Sequence, residues 1–166
     1  MSSFSADLIA LLPRLRRFAR SLAGHPDRAD DLVQDACERA LKGQAGFVPG
    51  TRFDAWVFRI LRNAWLDSHR RRAARGGEHA DLDAAGDIAG EDGRVASGFR
   101  DELMDAERAL LRLPPEQREA LVLTCIEGLT FAEAAEVLGI PAGTVMSRSA
   151  RGRIALAEAL GRGRKP

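Results

Sequence analysis

Residues 129–156 read LTFAEAAEVLGIPAGTVMSRSARGRIAL, two short apolar-patterned segments around a Gly-Ile-Pro corner, the second loaded with Arg148, Arg151 and Arg153. Phe131, Ala134, Ala135 and Leu138 fall at helical spacing on one face, and Thr130 with Glu133 has the capping-box pattern that starts such a helix. Gly139 permits a sharp corner, and Pro141-Ala142-Gly143-Thr144 starts a second helix. Val145 and Leu156 can then pack back while Ser147, Arg148 and Arg151 point outward. A helix with its side chains matches the width of the DNA major groove, and arginine serves both phosphates and guanine edges. A plain helical hairpin with a solvated charged face has the same pattern, so the rest of the chain must decide.

A chain of 166 residues forms one domain or two small ones, since domains run from about 50 to 200 residues. Apolar residues at 45% and charged residues at 30% are ordinary for a folded protein, and the dominance of Ala, Leu, Arg and Glu without any Tyr favours helices. No apolar stretch approaches the roughly 18 residues needed to span a bilayer. The start MSSFSADLIALLPRLRR lacks a basic segment followed by an uninterrupted apolar run. The expectation is a cytoplasmic protein without membrane insertion. Cys37 and Cys125 have no second Cys or His at metal-ligand spacing, which argues against zinc and against a disulfide framework. Both are expected to be buried free thiols.

The net charge of +1 hides an asymmetry. Residues 1–75 carry 14 Lys/Arg against 8 Asp/Glu, residues 76–102 carry 2 against 8, and residues 103–166 carry 9 against 8. Within the last block the basic residues gather after Pro141, where Arg148, Arg151, Arg153, Arg162, Arg164 and Lys165 face only Glu158. Two basic regions thus flank an acidic segment, as a two-point contact with a polyanion requires.

Residues 76–98, GGEHADLDAAGDIAGEDGRVASG, are rich in Gly, Asp and Ala without an apolar period, and read as a flexible acidic linker. Before it the apolar positions predict helices over about 5–23, 27–43 and 53–74. Pro13 removes a backbone donor from the first, which would allow it to split into two pieces. After the linker, helices are predicted at about 100–112, 115–127, 130–138 and 142–160, with Pro114-Pro115 starting the second of them. No stretch alternates convincingly enough for a strand. The expected fold is all-α, with two small helical domains, residues 1–75 and 99–166, the second containing a helix-turn-helix.

Two further constellations bear on function. In TRFDAWVFRILRNAWLDSHRRR, residues 51–72, Trp56, Val57 and Ile60 make an apolar side, whereas Arg59, Arg62, Asn63 and Arg70 can share the other. Aromatics beside arginines could engage unstacked single-stranded bases, although Trp and Phe at helical spacing are usually core. Trp56 is read as core, and Trp65 fits either role. In DRADDLVQDACERAL, residues 27–41, the acidic side carrying Asp27, Asp30, Asp31, Asp35 and Glu38 could dock on a basic protein surface. A solvated face with acids near the helix N-terminus explains part of it as well. His25, His69 and His79 stand in unrelated contexts, and no serine elbow or phosphate-cradling Gly loop occurs, so no catalysis, metal, cofactor or small-molecule substrate is expected.

Taken in order, DDLVQDA, FVPGTRFDAWVFRILRNAWLDSHRRR, an acidic linker, LPPEQREALVLTCIEGLTFAEAAEVLGIPAGTVMSR and a basic end resemble an extracytoplasmic-function sigma factor of the sigma-70 family. The succession covers nearly the whole chain. The resemblance implies a two-domain bacterial transcription initiation factor. Its first lobe would bind core RNA polymerase and open the minus-ten promoter element, and its second would read the minus-thirty-five element and touch the polymerase flap. Asp31, Gln34 and Asp35 would belong to the polymerase-binding helix. Phe47, Gly50, Thr51 and Arg52, with Arg59, Arg62 and Asn63 on the following helix, match the minus-ten region, where a flipped promoter base is captured. Arg148 and Arg151 match the recognition helix, with Thr144 and Ser147 at its phosphate-facing start. The LPRLRRFA and GHPDRADDLVQD runs are similar to general-stress sigma factors of alphaproteobacteria.

The chain departs from the family pattern at Met146, where a basic residue is common, and at Ser149-Ala150, where a large apolar residue precedes an aromatic or His. Ser149 would replace a core contact, and loss of a Leu-sized buried group costs about 2–5 kcal/mol where nothing compensates. The leading expectation is a promoter-specificity subunit released from an anti-sigma protein. Its alternatives are a sigma-like decoy that sequesters an anti-sigma protein without touching DNA, and an ordinary repressor.

Overall fold

The computed structural model describes residues 3–76 and 97–161. Within them the regular structure is helical, and no strand occurs among the described residues. Ser3 accepts a hydrogen bond from the Ala6 amide at 3.2 Å and starts α1, Phe4–Ala23, whose buried face carries Leu8, Leu11, Leu15, Phe18 and Leu22. Pro13 does not split it. The proline lies on the exposed side of an unbroken helix. The carbonyl deprived of its amide partner belongs to Ile9, a residue 66% exposed, where solvent can take the place of the missing donor.

α2, Pro26–Lys42, opens with proline in its first turn and buries the small residues Ala29, Ala36 and Ala40 beside Leu32 and Val33. α3, Phe53–Ala74, buries Val57, Phe58, Leu61 and Ala64. Phe18 of α1 and Phe58 of α3 meet edge to face with ring centres 5.4 Å apart, a favourable aromatic geometry at the centre of the first lobe.

The second lobe begins with α4, Ser97–Leu111, three residues earlier than the sequence pattern suggests. Of the linker expected over 76–98, residues 77–96 lie outside the described residues, as does the basic end from 162 onward. α5, Pro115–Leu121, does not run on as a regular helix to residue 127. It passes into a π turn, Val122–Ile126, in which the Glu127 amide donates to the Val122 carbonyl at 2.9 Å. α6, Phe131–Leu138, and α7, Ala142–Gly161, form the helix-turn-helix. The capping box at α6 is complete: the Thr130 amide donates to Glu133 at 2.8 Å and the Glu133 amide to Thr130 Oγ1 at 3.2 Å. Gly139 ends α6 at φ 65°, a left-handed conformation that a side chain would strain.

α7 packs closely on α5 because its inner face is made of small residues. Gly152 is buried, and a Cβ there would stand 3.1 Å from the Gln117 carbonyl oxygen and 3.4 Å from Leu121 Cβ. Ser149, one turn before it, is 1% exposed, and its hydroxyl lies 2.9 Å from that of Thr124, which donates to the Ala120 carbonyl at 2.7 Å. The supposed loss of a core contact at Ser149 is therefore compensated by a hydroxyl pair in the tight α5–α7 seam.

The lobes do not stand apart. α3 packs against α6, and α1 against α5 and the π turn. Their buried side chains form one continuous apolar cluster that runs from Leu15 and Phe58 to Leu123, Leu129 and Val137.

Candidate nucleic-acid and protein interfaces

α2 turns Asp31 and Gln34 to solvent while Leu32, Val33 and Ala36 anchor it inward, so the expected polymerase-binding residues occupy an open face. Asp35 is half-buried and accepts from Arg39 Nε at 3.0 Å. Arg39 also donates to Asp67 of α3 at 2.7 Å, which pins α2 to α3. That hydrogen bond is the main reason the Asp67 carboxyl titrates below the ordinary range. Asp35 thus holds the face in place as well as forming part of it.

The expected minus-ten residues split into two groups. Phe47, Gly50, Thr51 and Arg52 come from the loop before α3, where Thr51 Oγ1 donates to the Val48 carbonyl at 2.6 Å and Gly50 adopts φ 89°. Phe47 is half-buried in an aromatic box, 5.4 Å from both the Phe53 and Trp56 rings, and Phe4 closes the box at 5.2 Å from Phe53. Arg59 and Asn63 follow on the exposed side of α3, one turn apart. Trp56 packs partly against the core, as does Trp65, whose ring sits edge-on to His69 at 5.8 Å. An aromatic platform next to a loop and an arginine-lined helix provides the two elements that single-stranded nucleic acid needs, a stacking surface and cations for the backbone.

In α7, Val145 is fully buried while Ser147 and Arg151 are exposed, and Thr144 and Arg148 lie half-buried on one flank. Met146 is 52% exposed on the other flank. Phe131, expected on the inner face of α6, is 37% exposed, and Val137 takes its place inside. Cys125 is exposed at the π turn, in contrast to the buried thiol expected; Cys37 is half-buried, and desolvation pushes its thiol up despite the nearby Arg16.

A set of ion pairs that no local pattern announces joins the lobes. Arg14 donates from Nε to Glu127 Oε2 at 2.8 Å and from Nη2 to the Glu127 carbonyl at 2.9 Å, and its Nη1 lies 2.9 Å from Asp54. Arg17 adds Nε to Glu127 Oε1 at 3.0 Å. Arg52 spans Asp54 with two bonds of 2.9 Å and reaches Glu133 of α6 at 2.6 Å. Charges therefore alternate without a break from Glu127 through Arg14, Asp54 and Arg52 to Glu133. Farther along, Arg62 reaches Glu119 at 3.3 Å and Arg20 reaches Glu107 at 2.7 Å. Burial pushes the Glu119 carboxyl up, with Arg62, Arg118 and Arg148 opposing the shift. The Glu133 carboxyl is held down, chiefly by the Thr130 amide.

A two-lobed helical chain with a helix-turn-helix at one end, an acidic open helix at the other and an aromatic-arginine surface between them defines a DNA-reading subunit built to work on a larger protein. Residues 8–75 match the family model Sigma-70 region 2, and residues 103–156 match Sigma-70, region 4. The chain is 40% identical over 158 residues to the ECF RNA polymerase sigma factor EcfG of Rhodopseudomonas palustris, covering 95% of this chain and 85% of that one. It is 37% identical over 148 residues to the ECF RNA polymerase sigma factor SigM of Mycobacterium tuberculosis, covering 89% and 72%. Among solved structures it superposes with a TM-score of 0.80 on the sigma factor RpoE in complex with the anti-sigma factor NepR from Bartonella quintana, at 35% identity over 97% of this chain and 98% of that one. CnrH in complex with the cytosolic domain of CnrY follows at 0.67, with 31% identity over 96% and 88%. The chain belongs to the extracytoplasmic-function sigma factors of the sigma-70 family, which direct core RNA polymerase to promoters. No helix among the described residues is long and apolar enough to cross a membrane.

Proposed function

We propose that this sigma factor divides its work by lobe, in the cytoplasm and as a binding subunit without catalysis of its own. The α2 face with Asp31, Gln34 and Asp35 docks on core polymerase. The loop with Phe47, Gly50, Thr51 and Arg52, together with Arg59, Arg62 and Asn63, takes the melted minus-ten strand. α7 reads the minus-thirty-five duplex with Arg148 and Arg151, and Thr144 and Ser147 meet phosphates. The observation that carries this reading is the outward presentation of Ser147 and Arg151 by a helix whose opposite face, Val145 and Ser149, is locked into the lobe. Duplex is read in a groove, whereas a melted strand needs a stacking surface, and the chain has one of each.

An anti-sigma protein controls this chain in our reading, as suggested by two relatives, one solved in complex with the anti-sigma factor NepR and the other with the cytosolic domain of CnrY. The apolar groove where Leu103 and Leu110 of α4, Ile126 and Leu156 meet α1 suits an amphipathic inhibitor helix. Purified chain and core polymerase should initiate from a defined promoter, and Arg148→Ala with Arg151→Ala should abolish that transcript. Wild-type chain that titrates the anti-sigma protein yet yields no promoter-dependent RNA would favour the decoy function instead.

A further inference from the structure

Side chains spaced by four residues form three rows along the outer surface of α7. Thr144 and Arg148 make one, Gly143, Ser147 and Arg151 a second, and Ala142, Met146 and Ala150 a third. The first two rows end in arginine. The third has no hydrogen-bonding side chain. Ala142 is exposed and Ala150 half-buried, so Met146, 52% exposed, is the one side chain of that row that reaches far from the helix. Val145 just before it and Ser149 three residues after it are buried at 0% and 1%, which fixes the direction in which Met146 leaves the helix.

Met146 also stands early in α7. The helix starts at Ala142, and its first turn presents only a methyl group there and no side chain at Gly143, where an added Cβ would meet nothing within 4 Å. A helix that opens this bare can bring its first turns deep into a groove, and those turns of a recognition helix are the ones that reach base edges. Ile154 and Leu160, the other exposed large apolar residues of α7, lie two turns or more farther along. The major groove offers a thioether one complementary feature, the C5-methyl group of thymine, since the other groups that tell base pairs apart there are donors and acceptors. A methionine pressed on guanine O6 or cytosine N4 strips water from that atom without supplying a partner, which costs free energy.

We infer that Met146 is a specificity-determining residue that reads the C5-methyl group of one thymine in the minus-thirty-five duplex and discriminates against G·C at that step. The inference rests on the assignment of α7 to that duplex. Within it the work divides by row: Arg148 and Arg151 supply charge, and Met146 supplies an apolar contact.

The test uses core polymerase reconstituted with the full chain and a promoter library randomised across the minus-thirty-five element, with the transcribed templates sequenced. The wild type should select thymine at one position on one strand, and Met146→Ala should lose that selection. In the selected promoter, deoxyuridine in place of that thymine removes only the methyl group. Initiation by the wild type should fall about fourfold, the value of one methyl contact withdrawn from water. The thymine-to-uracil ratio should be near one for Met146→Ala and unchanged for Ser147→Ala, whose residue belongs to the neighbouring row. Because Met146 is exposed, Met146→Ala should keep the wild-type urea midpoint; if it does not, Met146→Gln, of similar length and helix propensity, decides by the same ratio, which should again be near one. A wild type that selects no thymine, or that uses thymine and uracil equally, overturns the role of Met146 while leaving α7 as the duplex reader. Transcription that ignores the minus-thirty-five sequence altogether removes the assignment of α7, and the role of Met146 with it.

Discussion

Arg14 Nε and Glu127 Oε2 lie 2.8 Å apart across 113 positions of sequence, and the glutamate side chain is fully shielded from solvent. Arg14 sits 5.3 Å above the Phe58 ring and touches Asp54 as well, so it ties α1, the start of α3 and the π turn together. Arg14→Ala leaves Glu127 with Arg17, whose side chain is 54% exposed. A buried carboxylate with incomplete pairing costs several kcal/mol, but separation of the lobes relieves it by returning it to water. The expected result is an expanded radius of gyration with the far-ultraviolet helical signal retained. Loss of the helical signal together with expansion would show that the pair supports the fold of the lobes and not merely their contact.

The helices were legible because each rests on local chemistry. Thr130 and Glu133 announce the start of α6, Gly139 its end, and Pro115 the start of α5, and all four act as their residue types dictate. The recognition-helix face was legible for the same reason, since Val145 and Ser147 follow from helical spacing. The ion pairs that join the lobes were not. Arg14, Arg17 and Arg20 read locally as a solvated basic row, and Glu127 sits in an Ile-Glu-Gly run with no periodic meaning. Its burial follows from the π turn, which shifts register after Leu121 and aims the residue at α1. The role of Ser149 was hidden likewise, because its partner Thr124 lies on another helix.

That hydroxyl pair makes a measurable difference between two substitutions. Ser149→Ala removes one hydrogen bond from a half-buried Thr124 hydroxyl that keeps the Ala120 carbonyl, and should cost about 1 kcal/mol. Ser149→Leu introduces the large apolar residue that the family resemblance leads one to expect there, yet it inserts volume where the side chain is 1% exposed. Overpacking of about 1–3 kcal/mol is expected. Urea unfolding should therefore rank wild type above Ala, and Ala above Leu; greater stability for Leu would show that the seam can open to receive it.

Gly152 sets how closely the same seam can approach. Gly152→Val places branched carbons against the Gln117 carbonyl, which belongs to the α5 backbone and cannot rotate away. The helix-propensity gain of a few tenths of a kcal/mol over glycine does not offset a clash of about 1–3 kcal/mol. The urea midpoint should fall, and promoter binding with polymerase should fall with it, because α7 loses its seat. An unchanged midpoint would mean that α7 shifts outward at no cost.

The pH dependence of stability contains two opposing contributions. Glu133 and Asp67 titrate below the ordinary range, the first chiefly through the Thr130 amide and the second chiefly through Arg39. Asp54 does too, since hydrogen bonds from Arg52, Arg14 and the Ala55 amide together outweigh a desolvation that pushes it up. For these three, stability is present above the unfolded values of roughly 3.9–4.3 and is lost as pH falls through the lower folded values. Glu119 has the opposite sign. Its folded value is raised by burial, so its contribution is complete below the unfolded value and is lost as pH rises through the folded one. As pH falls through the raised folded value of Glu119 the thermal midpoint should therefore rise modestly as that carboxyl takes its proton, and below about pH 4 it should drop as the other three carboxylates are neutralised. Glu119→Gln should flatten the rise and leave the acid drop intact. A midpoint that falls steadily from pH 7 downward in the wild type would show that Arg62 keeps Glu119 ionised throughout.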